Sequence, residues 1–338
     1  METILLLAHT DADGSLPKPA LEAVSAARTE LAGARLVIGI IGADVQAAAN
    51  SIAACGAERV LGVAGEAFAQ SRYATDAAAT EALCRASGAT VVVAPGTSRF
   101  ARVLPGVAYR LGGRVDTHVT GISVLNGVLS LTRWFYRQRM EASLTRTPRP
   151  WFVLLDPGCY TPFAGAQGEA VVEMVAVPPP ATRTTVTGMR SPKADEQTIR
   201  PDAKLLFVAG AGWTKKQADG AAHPQDAEQL ILGFLRASQA SLGSSKSLVD
   251  LSGEGQEVLR FMTHLNQVGQ TGSTPRHPKG LSTCCHGEEP HVVGWRFITE
   301  RRAINLDANC GWARGKADVL YVADAFEVMR RVNAMLGQ

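Results

Sequence analysis

The chain lacks any apolar run of membrane length. Its longest apolar stretches, such as Leu36 to Ile41 and Val91 to Ala94, are strand-sized. A membrane-spanning helix needs roughly 20 apolar residues, so no membrane insertion is expected. It also lacks any run of Lys or Arg, and its formal net charge is only +3. Nucleic acid is therefore not an expected partner. No Gly-x-x-x-x-Gly-Lys-Ser/Thr occurs, which removes support for a nucleoside triphosphatase loop. No acid/base pair or Ser/His/Asp arrangement stands at a convincing spacing. Six cysteines in 338 residues do not make a disulfide framework. Cys55 and Cys84 fall in helix-like runs and read as small core residues. The start, Met1-Glu2-Thr3, is acidic and leads straight into Ile4 to Ala8, which reads as a buried strand and not as a signal peptide. A cytoplasmic location is expected.

What is present is an α/β rhythm. The length allows two domains, and 46% hydrophobic with 19% charged residues is ordinary for such a chain. Strands are expected near Ile4 to Ala8, Arg35 to Ile41, Arg59 to Val63 and Thr90 to Ala94. Helices are expected near Pro19 to Leu31, Asp44 to Cys55, Asp76 to Ala86 and Arg99 to Leu111. Strands separated by helices predict a parallel, doubly wound sheet. From Val119 the period changes to two. Val119 to Leu125, Val128 to Tyr136, Glu141 to Leu144, Pro150 to Leu155 and Ala170 to Val177 predict an antiparallel extension. The expected organisation is a doubly wound domain with that extension over 1–180, a polar linker over 181–203 that follows Pro178-Pro179-Pro180, and a parallel-sheet domain over 204–338.

The second domain opens on an apolar run, Lys204 to Ala209. It ends at Gly210-Ala211-Gly212-Trp213, and a helix is expected from Pro224 to Gly243. A strand, a glycine turn and a helix place backbone N–H groups at a helix start, a natural phosphate site. Further on stands Gln267-Val268-Gly269-Gln270-Thr271-Gly272, after a helix-like run ending near Leu265. Its glycines permit close backbone approach, and its amide and hydroxyl can bond a ligand. Then come Cys284-Cys285-His286-Gly287-Glu288-Glu289-Pro290-His291, Ile304-Asn305-Leu306-Asp307, Ala317-Asp318 and Val322-Ala323-Asp324-Ala325-Phe326.

This series resembles the electron transfer flavoprotein alpha subunit along most of the chain. Pro95-Gly96-Thr97-Ser98-Arg99-Phe100, followed by Leu104-Pro105, matches the family pattern in outline. The resemblance implies that the second domain binds FAD. It carries Ser245, Val268, Gly269, Gln270 and Thr271 onto flavin-contacting positions. His291 falls at the pyrimidine edge, where an imidazole would stabilise an anionic reduced ring. Asn305 and Asp324 fall at the ribityl-phosphate and adenosine end. The implied partners are a beta-type subunit, flavin dehydrogenases as electron donors and a membrane quinone oxidoreductase as acceptor. The implied role is that of an electron carrier, not a substrate-converting enzyme.

Three departures from the family stand out. An arginine is expected where Gly212 stands, and another where Lys246 stands; lysine keeps the charge but loses the bidentate fork. The family's Gly-Ile-Ser-Gly-Ala-Ile-Gln stretch is replaced by Cys284 to Pro290. Glu288 and Glu289 would repel an anionic flavin, and Pro290 removes a backbone donor. His286 and Gly287 belong to this altered stretch of the site. The alternative is therefore a scaffold or regulatory subunit descended from the family, with a weakened flavin pocket. Cys284 and Cys285, with the histidines nearby, also allow a metal or redox-thiol reading beside the plainer one of two buried strand-end cysteines. The other site residues have plain uses as well: Asn305 and Asp307 as a turn pair, Asp324 as a helix cap, Ser245 and Thr271 in turns.

Overall fold

A computed structural model describes residues 2–135, 140–188, 199–200, 203–250, 258–268, 277–284, 298–310, 313 and 317–337. The chain divides into two compact units, Met1–Met189 and Arg190–Gln338.

The first unit is built on a nine-stranded mixed sheet, in the order β7-β6-β5-β8-β4-β1-β2-β3-β9. Its centre is β1 (Thr3–His9), parallel to both β2 (Arg35–Gly42) and β4 (Val91–Pro95). These strands read as unbroken apolar runs because both faces are covered. Ile4, Leu6 and Ala8 of β1 face a core shared with α1 (Lys18–Glu30). Leu5 and Leu7 face the opposite core, shared with α4 (Tyr73–Ser87) and α5 (Ser98–Arg110). Between β2 and α4 lie α2 (Gln46–Ser51), β3 (Arg59–Ala64) and α3 (Glu66–Ala69). The single helix expected over Asp44 to Cys55 is instead α2 followed by a 3-10 turn, Ala53–Cys55.

The antiparallel extension is present as β5 (Arg114–Leu125), β6 (Val128–Phe135) and β7 (Met140–Leu144). Two strands expected to belong to it do not. β8 (Trp151–Leu155) inserts between β4 and β5, parallel to both. β9 (Val172–Met174) lies parallel to β3 at the far edge. The reason for the first is visible in its composition. All five residues of β8 are buried, a two-sided apolar strand that only the sheet interior can cover. Cys55 and Cys84 are buried as expected, and burial pushes the Cys84 thiol up to about 12.

β1 ends in His9, beside the point where the strand order reverses between β4 and β1. The His9 ring packs on Phe100 with centroids 4.3 Å apart. Neither ring nitrogen has a hydrogen-bond partner among the described residues. Burial, and then the Arg99 guanidinium, hold its pKa well below the ordinary histidine value, against a smaller opposing effect of the Ile41 carbonyl. Arg99 itself is tied to buried Asp76 by bonds of 2.7 and 3.0 Å. A depressed histidine pKa means the unfolded chain binds the proton more readily. Stability therefore falls as pH drops below about 6.5, by about 1.4 kcal/mol per unit until the folded-state pKa is reached. In His9→Leu this slope is expected to flatten. Melting temperatures followed from pH 7.5 to 5 check this, and identical slopes in the two proteins would refute it.

The second unit carries a five-stranded parallel sheet, in the order β11-β10-β12-β13-β14. Its strands are β10 (Leu205–Ala209), β11 (Ser241–Ser244), β12 (Lys279–Thr283), β13 (Glu300–Asn305) and β14 (Val319–Val322). Helix α6 runs Pro224–Ser238, so it stops short of the expected Gly243. Gln239 takes a left-handed conformation, φ 54°, and ends the helix; the chain then enters β11. Two more helices follow, α7 (Lys246–Asp250) and α8 (Ala325–Met335). The helix-like run near Leu265 is a 3-10 turn, His264–Asn266, among the described residues there. No helix among the described residues is long and apolar enough to cross a membrane.

Candidate functional site

In the second sheet, β10 connects onward to β11 on one side and is flanked by β12 on the other. The strand order reverses there, and in open α/β sheets ligands bind outside the carboxyl ends of the strands at such a point. A small pocket lies at these carboxyl ends. It is lined by Gly212 after β10, Cys284 after β12, Asn305 and Leu306 at the end of β13, and Asp324 and Phe326 after β14, with Gln217 also on its wall.

Backbone geometry brings these residues together. Gly210 N–H donates to the Thr283 carbonyl at 2.8 Å and Gly212 N–H to the Cys284 carbonyl at 3.0 Å. The turn after β10 is thereby fastened to the end of β12. Trp213 is fully buried beneath this turn. Its Nε1–H donates to Thr283 Oγ1 at 2.8 Å, and that hydroxyl donates to the Val208 carbonyl at 3.1 Å. The Trp213 ring packs against Phe326 with centroids 4.6 Å apart and the planes tilted by 54°. Asn305 is buried, and its Oδ1 accepts from Asp307 N–H at 2.9 Å. Asp324 caps α8, with Oδ1 accepting from Glu327 N–H at 3.0 Å. Both residues thus have the turn and cap uses that their sequence context allows.

The remaining described site residues sit at the end of β11. Ser245 is buried; its N–H donates to the Ala209 carbonyl at 2.9 Å, and its Oγ accepts from Leu248 N–H at 3.3 Å. Val268 N–H donates to the Ser244 carbonyl at 3.0 Å. The Val268 side chain presses on Gly243, where a Cβ would lie 2.6 Å from Val268 Cγ2. Lys246 is exposed, and its Nζ is 3.6 Å from Asp250, which also meets His264 at 3.7 Å. Three of the expected residues, Gly212, Asn305 and Asp324, therefore converge on one pocket. Ser245, Lys246 and Val268 stand apart from it at the neighbouring strand end. Gly269, Gln270, Thr271, His286, Gly287, Glu288, Glu289, Pro290 and His291 lie outside the described residues, as does Cys285. Cys284 is buried just beyond β12 with φ 56°. Gln217, Trp213 and Thr283 are site-building residues that sequence reasoning did not single out.

No curated protein matches the chain. The family model of the electron transfer flavoprotein domain matches residues 4–181, more than half of the 338-residue chain. The chain belongs to the electron transfer flavoprotein family. The match covers most of the first unit, and the pocket lies in the second. For the flavin that this family carries in general, the residues present fit. Ser244 Oγ, fully buried at the end of β11, has no hydrogen-bond partner among the described residues, and an orphaned hydroxyl at a strand's carboxyl end is what a bound polar group would satisfy.

Proposed function

We propose that this electron transfer flavoprotein is an alpha-type subunit whose second unit, over 204–338, binds one FAD. It pairs with a beta-type subunit and carries electrons from flavin dehydrogenases to a membrane quinone oxidoreductase. The observation that carries this reading is the convergence of Gly212, Asn305 and Asp324 on one pocket at the reversal point of a parallel sheet. When bound, FAD supplies reversible electron acceptance. The chain's own residues hold and orient it. Asp324 and Asn305 take the sugar end; Ser245 and the Val268 to Thr271 loop take the flavin end. His291 is assigned to the pyrimidine edge. Electron transfer needs close approach and a tuned potential, so no acid/base pair is required. The setting proposed is the cytoplasm.

A second reading keeps the fold without the cofactor. It is favoured by Gly212, which places no guanidinium over the glycine turn, and by Lys246, whose ammonium is engaged by Asp250. A scaffold subunit would follow from such a weakened site.

FAD titration of the purified protein separates the two. Wild-type uptake with about one FAD per chain supports the carrier reading. Asp324→Ala is expected to lose about 1 kcal/mol of stability as a lost cap and at least about tenfold in FAD affinity as a lost hydrogen bond. Asp324→Asn keeps most of the cap. Unchanged FAD affinity in Asp324→Ala would remove this residue from the site, and a wild type that takes up no FAD favours the scaffold.

A further inference from the structure

Gln217 is absent from every motif in the chain, yet it lies on the pocket wall. Its position is fixed from two sides. Gln217 N–H donates to the Ala221 carbonyl at 2.9 Å, and the Gln217 carbonyl accepts from Gly220 N–H at 2.9 Å, closing a tight loop. The side-chain Nε2 then donates to the Gly212 carbonyl at 3.1 Å and to the Lys215 carbonyl at 2.6 Å. A carbonyl can only accept, so these two bonds settle which end of the amide is nitrogen. The acceptor, Oε1, is left without a partner among the described residues. Gln217 is a residue of the pocket wall whose donor end is already used.

Asp324 is in a similar state. One carboxylate oxygen caps α8, and Oδ2 has no partner among the described residues. This charge already compensates the positive end of the helix. A phosphate at the same place would meet a carboxylate and an amide oxygen, not free donors. The pocket holds about 10 Å³ of free space, the size at which a cavity takes about one water-sized group.

Resting on the FAD reading, we propose that Gln217 is a specificity-determining residue of this pocket: with Asp324 it accepts from a single hydroxyl or amino group of the ligand and keeps phosphate out. The ligand's sugar or polyol therefore anchors here, and its phosphates lie elsewhere along the strand ends.

The test is calorimetric titration of wild type, Gln217→Leu and Gln217→Lys with FAD, ADP and riboflavin, alongside the melting temperature of each protein without ligand. The expected result is an FAD affinity about tenfold weaker in Gln217→Leu, the loss of one hydrogen bond, at a near-constant melting temperature. One of ADP and riboflavin should lose the same factor and the other none, which identifies the end of FAD that bears the group. Gln217→Lys keeps donors toward the two carbonyls and replaces the acceptor by a cation, so it should bind FAD no better than Gln217→Leu. Equal affinities in wild type and Gln217→Leu overturn the proposal while the FAD reading stands. So does a uniform loss for all three ligands with a fallen melting temperature, which marks a loop staple only. Gln217-dependent binding of ADP with no binding of FAD or riboflavin leaves the proposal standing and overturns the FAD reading. No binding of any of the three overturns both.

Discussion

Asp116→Ala should cost about 3 kcal/mol, because it takes a buried carboxylate away from two partly exposed arginines and a buried indole N–H that all donate to it. Asp116 is 1% exposed. Arg133 Nη1 donates to it at 3.0 Å, Arg146 Nη2 at 2.9 Å and Trp151 Nε1 at 2.9 Å, and Arg146 Nε makes a further close contact. Three strands meet through this carboxylate: Arg133 is on β6, Asp116 on β5 and Trp151 on β8. Burial raises its pKa, while Arg146, Trp151 and Arg133 together lower it more, so the net position is below the usual carboxylate range. A depressed folded-state pKa contributes stability that is present above the unfolded value of about 3.9 and is lost as pH falls through the folded value. Denaturant titration at pH 7 checks the magnitude. Arg146→Gln is the companion variant. Its side chain is 37% exposed and Arg133 remains, so it should cost far less. A loss below about 1 kcal/mol in Asp116→Ala would show that the cluster is held by packing alone.

Trp213→Ala should disable the second unit by a different route. The indole is fully buried, packed at a tilt against Phe326 and bonded to Thr283. Its removal opens a large cavity, worth about 3–5 kcal/mol for a buried aromatic, and leaves Thr283 Oγ1 without its indole donor. The cavity lies between the Gly210 to Gly212 turn and the start of α8, the two sides of the pocket. Stability and FAD uptake are therefore expected to fall together. Trp213→Phe keeps most of the volume and loses the N–H, so it should cost about 1–2 kcal/mol. Chemical denaturation followed by far-ultraviolet circular dichroism, with FAD titration of the folded fraction, reads both effects. Normal FAD uptake by folded Trp213→Ala would detach the tryptophan from the site.

The parallel cores were legible because continuous apolar runs have few other places to go. β1, β2 and β4 fall within a residue or so of their expected bounds. The pairing of Trp151 to Leu155 was not legible. Its five apolar residues say that both faces are buried, but not which strands bury them. The end of α6 was missed because Gln239, not a glycine, adopts the left-handed turn. Asn305 and Asp324 were readable as a strand-end pair and a helix cap, and the family resemblance attached a ligand to them. Gln217 carried no signal. Its meaning comes from the Gly212 carbonyl, which a sequence lists only as backbone. The Trp213–Thr283 bond spans 70 residues, beyond any local pattern.

The most direct test is the visible spectrum of the chain purified after co-expression with a beta-type subunit, with a flavin assay on the denatured supernatant. The account predicts flavin absorption bands and about one FAD released per complex. A complex that is colourless, and stays so after incubation with excess FAD, would contradict it.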